Sequence, residues 1–110
     1  MTLEGSLDVA VSDGAATLTF TVRNAGEEAV DLQFSDGCKA DFVVEADGQE
    51  RWRFSEGRMF TQVLSTDTVP PGGEVTYEAT CESLESGRYD VRAELRSTNR
   101  TCSARTTVSI

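Results

Sequence analysis

The sequence predicts an all-β fold, an immunoglobulin-like antiparallel β-sandwich of about seven to nine strands. Apolar and polar residues alternate with a period of two over about eight segments, which is typical of half-buried strands. Turn-forming sequences separate these segments, and thirteen Thr and eleven Val enrich the 110-residue chain in β-branched residues. No segment shows a helical periodicity, so we expect no helical layer.

In the first four predicted strands, the apolar residues keep one parity within each segment. Leu, Val and Phe occupy odd positions in residues 7–11 and even positions in 18–22 and 30–34, with mainly polar residues between them. Phe42 and Val44 share a face against Asp41 and Glu45. The sequences Asp13-Gly14, Asn24-Ala25-Gly26 and Asp36-Gly37 fall between the strands and supply turn chemistry. Each strand therefore has one face for the core and one for solvent, and Asp41 is expected on the solvent face.

The last four predicted strands show the same alternation, in residues 52–54, 75–81, 89–95 and 102–110. Asp47-Gly48 and the Pro-Pro-Gly-Gly sequence at residues 70–73 provide turns between them. Trp52 and Phe54 share a face and are expected to anchor the core. Tyr89, which follows a Gly-Arg pair, is expected to form a tyrosine corner with its hydroxyl bonded to the backbone.

Parity also predicts one strand register. Facing residues of an antiparallel pair share a face, so odd-numbered residues of 89–95 must oppose even-numbered residues of 102–108. A two-residue turn at Thr98-Asn99, with Asn99 at positive φ, satisfies this condition. It pairs Leu95 with Cys102 and residue 93 with residue 104.

The longest stretch without clean alternation covers residues 55–71. It is too long for a hairpin turn, and it carries four large apolar residues at 59, 60, 63 and 64. Long structured connections in compact domains are often functional. The alternative interpretation is a crossover between the sheets whose apolar residues plug one end of the sandwich.

Length and charge restrict the function classes. One domain over residues 1–110 fits the usual domain size, and we expect a monomer. The net charge of −9 disfavours nucleic acid and anionic membranes as partners. Nine of the ten basic residues are Arg, and an acidic, lysine-poor surface is typical of a halophilic protein that stays soluble in molar salt, where charge repulsion is screened. The alternative is an acidic face that attracts a basic partner.

The chain start and the residue types argue against several other roles. Met1 is followed by neither a basic nor an apolar stretch, so we expect no signal peptide and a cytoplasmic location. The absence of histidine removes the commonest general base and most catalytic zinc sites, so we expect no enzyme, metal or cofactor. We expect Cys81 and Cys102 to be inward-facing thiols, although a bridge stays open, and Cys38 to be exposed in a turn.

Six blocks carry a family resemblance over about residues 18–95. They are residues 32–37, 41–44, 47–50, 52–62 (WRFSEGRMFTQ), 71–74 and 87–91. In this order they resemble the intracellular proteinase inhibitor family, known as BsuPI, and the tryptophan-to-glutamine block is the most specific. The resemblance implies a small immunoglobulin-like sandwich that inhibits an intracellular, subtilisin-type serine proteinase.

The resemblance and the long connection together give a candidate contact site. An inhibitor must fill the substrate cleft with a pre-ordered segment, and Arg58, Met59 and Phe60 are the candidate contacts. The expected supporting residues are Trp52, Phe54, Gly57 and Gln62. The alternatives are an interaction module that binds a non-proteinase partner through a sheet edge, and a self-associating module. The sequence leaves open which proteinase is the target.

Overall fold

The computed structural model describes residues 3–82 and 84–110, and these residues form nine β-strands. This confirms the predicted all-β class. The strands are β1 (Leu3–Ser12), β2 (Ala15–Asn24), β3 (Val30–Phe34), β4 (Ala40–Ala46), β5 (Gln49–Arg53), β6 (Ser65–Val69), β7 (Glu74–Cys81), β8 (Arg88–Leu95) and β9 (Ser103–Ser109).

Two antiparallel sheets form the body of the sandwich. One has the strand order β1-β2-β7, the other has β5-β4-β8-β9, and β3 and β6 form a separate pair. Phe20 of β2 meets Phe42 of β4 edge to face, with ring centroids 6.5 Å apart, so the two sheets enclose a common core. At one side β1 approaches β9 so closely that a Cβ on Gly5 would lie 2.5 Å from the backbone oxygen of Ser103.

Two tight turns set the registers of the hairpins that they close. Asp13-Gly14 has φ values of 52° and 77°, and Asp47-Gly48 has 53° and 77°. Consecutive positive φ values are those of a type I′ turn, which matches the twist of the flanking strands. The turns fix the pairs Ser12–Ala15 between β1 and β2 and Ala46–Gln49 between β4 and β5. The predicted turn chemistry is confirmed at both places.

The core follows the predicted parity. The even-numbered apolar residues of β2 and β3, Ala40, Phe42 and Val44 of β4 and the odd-numbered apolar residues of β8 are buried. Val43, on the opposite face of β4, is buried as well. Tyr89 is buried, and its hydroxyl donates to the backbone oxygen of Glu85 at 2.7 Å, which confirms the tyrosine corner. The buried Asn24 side chain donates to the backbone oxygens of Glu28 and Val69 and accepts from the Gly26 amide, so its burial leaves no polar atom without a partner.

The register predicted for β8 and β9 is confirmed. Ala93 pairs with Ala104, and the amide of Leu95 donates to the oxygen of Cys102 at 2.8 Å. Shared burial of one face restricts the pairing to odd-numbered against even-numbered residues, and the observed register is one of those it allows.

The predicted two-residue turn between these strands is wrong. Residues 96–102 form a longer loop that reaches β3, where the amide of Thr98 donates to the oxygen of Gln33 at 2.8 Å. The Asn99 side chain accepts from the Gln33 amide and donates to the Asp31 oxygen, both at 3.0 Å. Asn99 does not take a positive φ. Hydrogen bonding to a neighbouring strand edge replaces the tight hairpin.

The stretch at residues 55–71 contains a strand that the alternation did not predict. Strand β6 pairs with β3 from Val30–Val69 to Phe34–Ser65. Its half-buried central position is Asp67, whose carboxylate accepts from Lys39 Nζ at 3.0 Å and from the Tyr77 hydroxyl at 2.9 Å. A satisfied acid therefore occupies a position where the pattern requires an apolar residue, which hides the strand.

All three cysteines are free thiols, as the sequence predicted. The expectation that Cys38 is exposed is wrong. Cys38 is 2% exposed, its amide donates to Asp36 Oδ1, and its thiol contacts the oxygen of Ala40 at 3.5 Å. The Asp-Gly turn folds the thiol inward. Burial raises the pKa of the Cys38 thiol and also that of Cys81 and Cys102.

Candidate protein-binding loop

The candidate contact residues lie in the β5–β6 loop, residues 54–64. The amide of Phe54 donates to the oxygen of Phe42 at 2.9 Å, which ties the loop start to β4. A turn follows, in which the amide of Arg58 donates to the oxygen of Ser55 at 3.4 Å and Gly57 has a φ of 75°. Glycine takes this conformation without the strain that a side chain would add. The turn places residues 56–59 at the exposed tip of the loop.

Asp41 anchors the first half of the loop. Its Oδ2 accepts from the Ser55 hydroxyl at 2.7 Å and from Arg53 Nη1 at 3.3 Å. Its Oδ1 accepts from the amides of Phe42 and Ser55 at 2.9 and 3.1 Å. Burial alone would raise the pKa of this carboxyl, but the hydrogen bonds from Ser55, Phe42 and Arg53 outweigh it and lower the pKa. The expectation that Asp41 faces solvent is wrong: only 6% of the residue is exposed.

The second half of the loop is held by the β3–β4 turn. The amide of Gly37 donates to the oxygen of Thr61 at 2.9 Å, and the amide of Val63 donates to the same oxygen at 3.1 Å. Backbone bonds on both sides of the tip therefore fix residues 56–60 without a disulfide.

An aromatic cluster supports the tip from below. The Phe54 ring lies 5.9 Å from Phe42, 6.3 Å from Trp52 and 6.0 Å from Phe60. The guanidinium carbon of Arg58 lies 4.4 Å from the Phe54 centroid, in cation–π contact. Trp52 and Phe54 are half-buried at the rim of the core rather than inside it, so both support the loop as well as the sheets.

Exposed apolar side chains concentrate in this loop. Met59 is 100% exposed, Leu64 85% and Val63 53%. Across residues 3–82 and 84–110, Val11 is the one other large apolar residue that is exposed, at 40%, although its parity predicted an inward face. The alternative interpretation, in which the apolar residues of this stretch fill one end of the sandwich, is therefore wrong for residues 59, 63 and 64. A cluster of exposed apolar residues on a braced loop is typical of a protein-binding site.

The structure brings together most of the predicted site residues. Arg58 and Phe60 contact Phe54, Met59 lies between them in the sequence and is fully exposed, and Gly57 forms the turn. Gln62 is exposed and follows the Thr61 anchor. Sequence reasoning missed the anchoring role of Asp41. It assigned no binding role to Val63 and Leu64, whose side chains are exposed in the same loop.

In residues 3–82 and 84–110, no three His, Cys, Asp or Glu side chains come together in a group that could hold a metal ion. The Ser55 hydroxyl donates to the Asp41 carboxylate. The described part of the chain also contains no helix long and apolar enough to cross a membrane.

The sequence model of the family described as intracellular proteinase inhibitor (BsuPI) matches residues 3–100, which is most of the chain and includes the whole β5–β6 loop. The chain belongs to this family. Membership implies a proteinase partner and a non-enzymatic role. No curated protein sequence matches the chain.

Solved structures similar to this inhibitor-family chain share its fold. The CARDB domain of a Pyrococcus furiosus protein has a TM-score of 0.53 at 15% identity, with 98% of this chain and 93% of that domain covered. A β-glucosidase from Kluyveromyces marxianus gives 0.54 at 16% identity, covering 99% of this chain and 14% of the enzyme. The sporulation control protein Spo0M from Bacillus subtilis gives 0.51 at 15% identity, covering 96% and 49%. The architecture is thus an immunoglobulin-like sandwich, and identities this low carry no function.

Proposed function

We propose that this chain inhibits an intracellular, subtilisin-type serine proteinase by non-covalent binding, with the β5–β6 loop in the enzyme's substrate cleft. The observation that carries the proposal is the fully exposed Met59 side chain on a loop whose two sides are braced. Family membership supports the proteinase as partner. Pre-ordering the loop lowers the entropy cost of binding, because few rotatable bonds of the loop lose their freedom when the complex forms.

The chemistry of the tip favours an enzyme with a large apolar specificity pocket. Met59 is apolar, unbranched and unobstructed, whereas the Arg58 side chain lies over the Phe54 ring. An acidic pocket would have to pull Arg58 from this contact. Val63 and Leu64 add apolar surface beyond the tip and extend the contact along the cleft.

The test is a set of loop variants measured as inhibitors. Replacement of Arg58, Met59 and Phe60 together by serine should abolish inhibition while the domain stays folded, since these side chains lie outside the core. The matched control is Val11→Ser, which removes an exposed apolar side chain from β1 and should inhibit like the native protein. Unchanged inhibition by the triple variant would move the binding site away from this loop.

A second candidate is an interaction module that binds through a sheet edge. The observation that favours it is that β5 and β7 each end a sheet and pair with a strand on one side only. The two candidates differ in their response to proline. Thr76→Pro on β7 should block a partner strand that pairs with this edge, and it should leave inhibition through the β5–β6 loop intact. Circular dichroism would check that this variant stays folded.

A further inference from the structure

One ring contacts both neighbours of Met59. The Phe54 ring lies 6.0 Å from the Phe60 ring on one side of Met59, and the Arg58 guanidinium lies 4.4 Å from its centroid on the other. Phe54 itself is fixed, because its amide bonds to Phe42 and its ring packs against Phe42 and Trp52. The residues before and after Met59 are therefore held by the same immobile group.

This arrangement presents one peptide bond to an enzyme. With the Met59 side chain in the specificity pocket, the peptide bond on its carboxyl side, Met59–Phe60, is the bond placed before the nucleophile. The same placement for Arg58 would require its side chain to leave Phe54, so the structure favours Met59.

We propose, on the basis of the proposed function, that Met59–Phe60 is a reactive bond which the bound proteinase cuts slowly and reforms, and that Phe54 is the positioning residue that makes reformation possible. In the forward step the enzyme's serine oxygen adds to the Met59 carbonyl carbon. The C–N bond breaks, the Phe60 nitrogen takes a proton, and an acyl-enzyme forms. Water then releases Met59 as a carboxylate and regenerates the serine.

Reformation of the Met59–Phe60 bond is favoured, because the two chain ends that cleavage creates both stay bound to the rest of the domain. The Phe60 side chain stays against Phe54, and the Gly37–Thr61 bond holds the next residue. On the acyl side, Arg58 stays on the same ring and Ser55 remains bonded to Asp41. The amine of Phe60 is thus kept beside the acyl carbon at a high effective concentration, and it competes with water for the acyl-enzyme. An ordinary substrate loses its leaving peptide at this point.

The first experiment follows the chain during inhibition. The full-length protein is incubated with a catalytic amount of a subtilisin, and intact mass and N-terminal sequence are measured over time. We expect a single cut, after Met59, that stops at a stable mixture of intact and cut chains. Purified cut protein should still inhibit, and it should regain the intact bond when enzyme is added.

The second experiment tests the role of Phe54. Phe54→Leu should be cut at the same bond at least tenfold faster and to completion, turning the inhibitor into a substrate. Phe54→Tyr, which keeps the ring, should restore the stable mixture. The matched control is Val108→Ala on β9, which trims a half-buried side chain of the core rim away from the loop and should keep the native cutting pattern. Thermal melts would confirm that each variant is folded.

Three outcomes would overturn the inference. Full inhibition by a chain that is never cut, or that is cut elsewhere, would reject the reactive bond and leave the proposed function standing. Identical cutting rates for Phe54→Leu and the native protein would reject the role of Phe54. Absence of any inhibition would reject the proposed function and this inference with it.

Discussion

Replacement of Asp41 tests how the β5–β6 loop is held. The carboxylate accepts bonds from Ser55 Oγ at 2.7 Å, from the amides of Phe42 and Ser55 and from Arg53, and Arg96 Nη1 lies 3.9 Å away. Hydrogen bonds to a charged group contribute about 1.5–3 kcal/mol each, but bonds to a shared acceptor are far from additive. Asp41→Ala leaves buried donors without a partner, so we expect a loss of about 3 kcal/mol in the free energy of unfolding.

The smaller change Asp41→Asn keeps an acceptor oxygen and removes the charge. We expect it to cost about 1.5 kcal/mol, which for a domain of this size lowers Tm by about 6 °C. The assay is urea unfolding at pH 7, with Asp8→Asn on the exposed face of β1 as the control, expected within about 0.5 kcal/mol of the native protein. A loss below about 0.5 kcal/mol for Asp41→Ala would refute the anchoring role.

Asp41 also gives the sign of a pH effect. Its folded-state pKa lies below the ordinary value of 3.8, so its contribution is fully present above that value and is lost as the pH falls through the lower folded pKa. Unfolding curves at falling pH should therefore show a stability loss that Asp41→Asn lacks. The explanation would be contradicted if the free energy of unfolding fell equally with decreasing pH in the native protein and in Asp41→Asn.

Three further predictions concern the sandwich itself. Tyr89→Phe removes the bond to the Glu85 oxygen and should lower the free energy of unfolding by about 1 kcal/mol in urea titrations, whereas no change would mean that water replaces the bond. Gly5→Ala should lower the free energy of unfolding by about 1–3 kcal/mol, because its Cβ would lie 2.5 Å from the Ser103 backbone oxygen. An unchanged Tm in thermal melts would show that β1 and β9 move apart without a cost in stability. In thiol labelling of the native protein at pH 8, half-buried Cys102 should react before the buried cysteines, and faster labelling of Cys38 would contradict its burial.

Most of the fold could be predicted from the sequence, because burial on one face imposes a period of two. The two Asp-Gly turns follow from backbone conformation, and the pairing of Ala93 with Ala104 is one of the registers that parity allows. Strand β6 was not predicted, because its half-buried position is Asp67 rather than an apolar residue. The Asp67 carboxylate accepts hydrogen bonds from Lys39 and Tyr77, which are distant in sequence, so no local pattern indicates that it can be buried. The prediction of the β8–β9 turn was wrong for the same reason, since the strand to which this loop bonds, β3, is distant in sequence.

The candidate site was only partly predictable. The irregular stretch and the family resemblance pointed to residues 58–60. The structure places Arg58 and Met59 at the exposed tip of a braced loop and Phe60 beside the tip, half-buried. The brace itself depends on Asp41, whose burial could not be read from alternation because its partners, Arg53 and Ser55, lie on another strand and in the loop. Clustering of Phe42, Phe54 and Phe60 likewise requires the tertiary fold.

The measurement that tests the central claim most directly is a titration of a subtilisin-type proteinase with the purified protein. It should be run in about 1 M potassium chloride, where the Debye length is ~3 Å and the charge of −9 is screened, with reductant present to keep the thiols free. We expect activity to fall linearly to a sharp one-to-one equivalence point. Full activity at a several-fold excess of folded protein, across a panel of serine proteinases, would contradict the proposed function.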